Sequence, residues 1–196
     1  MTHDSISGQL PMPDDSGSVI LISGWRQAGK TTLLLDLRAA AREAGLRVGG
    51  FLSPGRFVQG VKTGIDLLDA ASGATIPLAT VGEQGAIHTG RYSFEAAAFE
   101  AGIRYAEAGQ TADVFLMDEL GPLELVRGEG WAAVIPLLRA RRFGVALVVV
   151  RPDLIDAARE QIGLPPDSPL IRVDESNRDD VRDRLVGWLR GRVPRG

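Results

Sequence analysis

Residues 24–32 read Gly24-Trp25-Arg26-Gln27-Ala28-Gly29-Lys30-Thr31-Thr32, and no other stretch constrains the chain as tightly. The spacing is G-x-x-x-x-G-K-[ST], a phosphate-cradling loop when it joins a buried strand to a helix. Both neighbours are present. Val19-Ile20-Leu21-Ile22-Ser23 is a short apolar run, and Thr32-Leu33-Leu34-Leu35-Asp36-Leu37 opens a helical pattern. Gly24 and Gly29 allow the backbone of 24–32 to curl, so that successive N–H groups converge on an anion. The helix behind them adds the positive end of its dipole. Lys30 is a point charge on a flexible stem, suited to β- and γ-phosphates. Thr31 offers a hydroxyl to Mg²⁺. Of the 22 basic residues, Lys30 and Lys62 are the lysines and the rest are arginines. A chain that otherwise takes its positive charge from arginine carries lysine where the loop requires it.

Behind the loop, strand and helix signals alternate. Apolar runs at 19–23, 47–52, 114–118, 145–150 and 170–173 read as strands. Helices are predicted at about 30–44, 95–108, 131–142, 153–162 and 177–190, the last capped by Ser176. Such alternation implies right-handed crossovers, hence an α/β fold with a mostly parallel sheet and helices on both faces. Residues 53–90 are richer in Gly, Ser and Thr and carry short alternating pieces. They read as an added antiparallel β-hairpin or small extension. Residues 1–16 read as a flexible tail, and 17–196 as a single domain.

Val114-Phe115-Leu116-Met117 runs into Asp118-Glu119. A carboxylate at the end of a buried strand can hold Mg²⁺, usually through water. A second one beside it can orient and deprotonate an attacking water. Asp118 is therefore the candidate metal residue and Glu119 the candidate base. Ligands in open parallel sheets sit at the carboxyl ends of the strands, where both the loop and the acids fall. Arg56, Arg91 and Arg151 are candidates for the positive group that phosphoryl transfer needs. Tyr92 and Phe94 could stack a base, but alternating residues of this kind are more often core. Trp25 could shield phosphates or pack on a neighbouring strand.

Composition narrows the classes. The net charge of −3 gives no general attraction to nucleic acid or to an anionic membrane. With no cysteine and only His3 and His88, a structural zinc site has no ligand set. No apolar run approaches the ~20 residues of a membrane span, and the N-terminus lacks a signal-peptide layout. The expected compartment is the cytoplasm, with ATP, GTP or another NTP as substrate and Mg²⁺ as cofactor. No nucleic-acid or membrane partner is expected; a protein partner and the oligomeric state stay open.

The segment Asp118-Glu119-Leu120-Gly121-Pro122-Leu123-Glu124-Leu125 resembles the acidic signature of a nucleoside-triphosphatase family with thermophilic bacterial and human cancer-related members. Gly24 to Thr32, Gly49-Gly50-Phe51 with Gly64-Ile65-Asp66, Thr89-Gly90-Arg91-Tyr92 and Asn177-Arg178-Asp179 follow the same order, across about 19–190. The resemblance implies a RecA-like P-loop NTPase core with an added antiparallel β-hairpin. It also implies slow, Mg²⁺-dependent hydrolysis of several NTPs to NDP and phosphate. Lys30 and Thr31 then carry over as phosphate and metal ligands, Asp118 as metal holder and Glu119 as base. The chain departs from the family at Ser53-Pro54-Gly55-Arg56-Phe57, which holds no acid. It departs again at Arg91, where lysine is common, and at Arg151-Pro152-Asp153. A nucleotide or small-molecule kinase and a nucleotide-gated module serving a protein partner are the alternatives that the residues leave open.

Overall fold

The structure, a computed structural model, describes residues 6–7, 9–12, 15, 17–82, 87–89 and 92–192. In chain order these form β1 (Ile6–Ser7), β2 (Ser18–Ser23), α1 (Lys30–Glu43), β3 (Val48–Leu52), β4 (Gly55–Val58), β5 (Val61–Asp69) and β6 (Thr75–Val81). There follow β7 (Ile87–Thr89), β8 (Tyr92–Phe94), α2 (Ala96–Gly109), β9 (Val114–Leu120), α3 (Pro122–Leu125), α4 (Ile135–Ala140) and β10 (Val145–Val150). The chain closes with α5 (Ile155–Ile162), β11 (Leu170–Arg172) and α6 (Arg178–Arg190).

Strands that are apolar at every position can be satisfied only by cover on both faces. The central strands show this residue by residue. Ile20 and Ile22 of β2, with Leu147 and Val149 of β10, pack against Leu33, Leu34 and Leu37 of α1 and Val181 and Leu185 of α6. Their alternate neighbours, Val19, Leu21, Ala146 and Val148, face the other core with α2, α4 and α5. The expected mostly parallel arrangement with helices on both faces is what forms.

The sheet runs β1-β11-β2-β10-β9-β3-β5-β6-β8-β7, with β4 also on β5. β11, β2, β10, β9 and β3 are parallel. From β5 onward the pairing is antiparallel. The antiparallel addition is thus larger than one hairpin. β4 continues the line of β3 along β5, so the β4–β5 hairpin rises beyond the carboxyl edge of the parallel strands.

Some local expectations differ. The helix expected at 131–142 begins as a 3₁₀ turn, Ala132–Val134, and ends early at Arg141, whose φ is 51°. The short helix α3 was not expected; Pro122 supplies its first position and Glu124 ties its start. Ser176 does not cap α6. Its hydroxyl donates to Asp174 Oδ1 at 2.6 Å, and the same oxygen accepts the N–H of Ser176 at 2.8 Å and of Asn177 at 3.1 Å. In the N-terminal segment, Ile6 and Ser7 pair antiparallel with Ile171 and Leu170. Pro11 O accepts the Trp188 indole N–H at 2.8 Å. Tyr92 and Phe94 resolve as core residues: Tyr92 is buried, and Phe94 stacks on Phe99 at 5.7 Å. Among the described residues no helix is long and apolar enough to cross a membrane.

Candidate active site

The phosphate loop leaves the end of β2 as its spacing requires. Gln27 and Gly29 take positive φ, 67° and 87°, and turn the backbone inward. Among the described residues no side chain caps the N-terminus of α1, and its first turn holds no acid. Its free N–H groups and positive dipole end therefore suit an anion. Lys30 is buried and curls along the loop, its Nζ donating to Gly24 O at 2.6 Å and Trp25 O at 2.9 Å. Ala28 is buried beneath the loop, whereas Arg26, Gln27 and Thr32 are exposed. Trp25 is 72% exposed, so packing on a neighbouring strand is not its role.

β10 lies between β2 and β9, so the acids sit two strands from the loop. The strand that carries them is irregular there. Val148 faces Met117, but Val150 faces Leu120, so Val149 opposes both Asp118 and Glu119. This bulge changes the side-chain parity. Leu120 joins the core that contains Met117, where an unbroken strand would place it on the opposite face. The Asp118–Glu119 peptide bond is cis.

Asp118 reaches the loop directly. Thr31 Oγ1 donates to Asp118 Oδ2 at 2.7 Å. Ser53, just beyond β3, donates its N–H to the same oxygen at 3.4 Å and its hydroxyl to the Asp118 carbonyl at 2.5 Å. Burial pushes the Asp118 carboxyl up to about 6; the Thr31 hydroxyl opposes the rise and the neighbouring Glu119 charge adds to it. A buried carboxylate beside a hydroxyl is a short ligand set. Among the described residues no group of three His, Cys, Asp or Glu side chains could hold a metal by itself. The pair fits Mg²⁺, which takes most of its remaining ligands from phosphates and water.

Glu119 is half-buried. Burial raises its carboxyl as well, opposed by the charges of Lys30, Arg151 and Arg26. The loop after it is closed by Glu124, which is buried and accepts the N–H of Gly121 at 2.9 Å and of Trp131 at 3.2 Å. This explains the Gly-Pro-Leu-Glu-Leu run that follows the acids.

The three arginine candidates separate. Arg151 follows Val150, whose partners are Ser23 and Leu120, so it leaves the sheet between loop and acids. It pairs with exposed Asp153 at 3.3 Å. Arg56 is tied into the antiparallel region by Asp66 at 2.7 Å. Arg91 lies outside the described residues. Two further residues, neither of them a site candidate in the sequence, reach the site. Ser53 reaches Asp118 because β3 neighbours β9. Arg178 lies against Gly29 although 149 positions separate them in the chain.

Comparison with known proteins agrees with this geometry. The NTPase family model matches residues 19–186. The nucleoside-triphosphatase THEP1 of Methanopyrus kandleri is 31% identical over 181 residues, which cover 88% of this chain and 98% of the relative. THEP1 of Caldivirga maquilingensis is 26% identical, covering 87% and 94%. The solution structure of a human cancer-related nucleoside triphosphatase shares the fold, with a TM-score of 0.68 at 20% identity and coverage of 87% and 96%. With a family match along most of its length and a phosphate loop facing paired acids, this chain belongs to the NTPase family and is a nucleoside-triphosphatase.

Proposed function

We propose that the protein hydrolyses nucleoside 5′-triphosphates, ATP and GTP among them, to the diphosphate and phosphate. The reaction is Mg²⁺-dependent, slow and tolerant of the base, and takes place in the cytoplasm. The observation that carries this reading is Glu119, a second carboxylate next to the Thr31–Asp118 pair. Among the described residues none donates a hydrogen bond to it, so it is free to accept one from water.

The loop N–H groups of Gly24 to Thr32 and the start of α1 hold the phosphates, with Lys30 meeting the charge on the bridging oxygen. Thr31 and Asp118 would hold Mg²⁺, which when bound would neutralise negative charge on the phosphates. Glu119 takes a proton from water as its oxygen bonds to the γ-phosphorus. The bond to the bridging oxygen breaks, and that oxygen leaves with the diphosphate. Arg151 stands where a positive group can meet the transferring phosphoryl.

The test is steady-state phosphate release with ATP, GTP, CTP and UTP in turn, with Mg²⁺ and without an acceptor. Continuous release from each nucleotide, stopped by EDTA, is expected. Consumption of nucleotide only when an acceptor is added would overturn hydrolysis in favour of phosphotransfer.

A further inference from the structure

Arg178, the first residue of α6, rests on the phosphate loop. A Cβ placed on Gly29 would lie 2.5 Å from Arg178 Cδ and 2.9 Å from Nη1. The arginine therefore packs on the glycine that immediately precedes Lys30. Its backbone is held from several sides. Asp174 Oδ1 gathers the N–H groups of Ser176 and Asn177. The Asn177 side chain accepts the Asp174 N–H at 2.9 Å and donates to Arg172 O at 3.0 Å. Val173 N–H donates to Ser23 O at 2.7 Å, and the Val173 carbonyl lies against Gly24. The β11–α6 junction and the loop are one packed unit. Asn177 is occupied in holding that unit together. The Arg178 side chain is 38% exposed, and its ion pair is to exposed Asp179 at 3.6 Å.

Sheet order fixes which part of a substrate meets this arginine. The loop follows β2. The acids lie on one side of it, beyond β10; β11 and the start of α6 lie on the other. With strands about 4.8 Å apart, the acids stand about 10 Å from β2 in the sheet plane. A triphosphate whose terminal group reaches Asp118 and Glu119 must leave its nucleoside toward β11 and α6. The exposed Asp179 carboxylate is shared between Arg178 at 3.6 Å and Arg182 at 3.5 Å. The guanidinium has a flat face that stacks on aromatic rings, and with the phosphates assigned to the loop N–H groups and Lys30, the base is the part of the nucleotide left for it.

We propose that Arg178 is a nucleoside-contact residue whose guanidinium plane stacks on the base of the bound nucleotide. The inference rests on the nucleoside-triphosphatase reading and names the substrate half that the loop and acids do not reach. Stacking uses the face common to all bases, so this contact secures the nucleoside without selecting one.

The test compares Arg178→Ala and Arg178→Lys with the wild type, using ATP and GTP as substrates and inorganic tripolyphosphate as a competitor. Circular dichroism and thermal melting establish that both variants fold. KM should rise about tenfold for ATP and for GTP in Arg178→Ala, in line with base-stacking energies. kcat and the inhibition constant of tripolyphosphate should not change. Arg178→Lys, which keeps the charge without the plane, should behave like the alanine variant. An unchanged KM, an equal weakening of tripolyphosphate, or full rescue by lysine overturns the proposal. If the wild type binds nucleotide but releases no phosphate, hydrolysis alone is refuted. The same comparison is then read from the dissociation constants of the nucleotides and tripolyphosphate.

Discussion

At the scale of single residues, Asp118 is held against its own charge. The residue is 3% exposed, and burial pushes its carboxyl up to about 6 in the folded chain, well above the ordinary aspartate value of about 3.9. Between those values the folded state keeps a proton that the unfolded state releases. Stability therefore falls as pH rises through that window, by an amount on the order of 3 kcal/mol. In the ligand-free protein at about pH 8, Asp118→Asn should melt above the wild type, and the gap should close toward about pH 4. The same variant should lose most phosphate release. Thermal melts across pH check this; an asparagine variant less stable than wild type at high pH contradicts it. Lys30, Thr31 and Asp118 were legible in the sequence because the motif and the strand end encode their neighbourhood locally. Ser53 and Arg178 were not, because each becomes part of the site only through tertiary apposition.

At the scale of elements, the acid strand depends on glycine beside it. Gly50 of β3 takes φ +89° and faces Leu116 in register; a Cβ there would run into the Leu116 carbonyl. Leu116 lies two residues before Asp118. Gly50→Ala should cost about 2 kcal/mol from the strained φ alone, lower the urea midpoint, and reduce kcat by displacing Asp118 from Thr31. A midpoint equal to that of wild type contradicts this. Apolar runs made the five core strands readable, since cover on both faces leaves few other options. Three features were not readable. The bulge at Asp118–Glu119 changes parity without any Gly or Pro to mark it. The helix α3 spans Pro122–Leu125, too short to show a period. The start of α6 is organised by Asp174 rather than Ser176, because an Asx-type turn captured the N–H groups first.

At the scale of the whole molecule, sheet order converts separate motifs into one site. Placing β10 between the loop strand and the acid strand brings Arg151 out between them and leaves the proposed nucleoside site on the α6 side of the loop. The alternation of strands and helices predicted a parallel sheet, but not which strands would be neighbours. That order depends on how each crossover packs. Nor did the sequence reveal that 55–94 would build several antiparallel strands, because their short alternating pieces fit one hairpin equally well. If the two acids make the nucleotide-binding loop hydrolytic, Glu119→Gln separates binding from turnover. With nucleotide binding measured beside phosphate release, this variant should retain affinity and lose turnover by about 10²–10⁴, the range for a general base. Turnover equal to wild type, with binding intact, would contradict this role of Glu119.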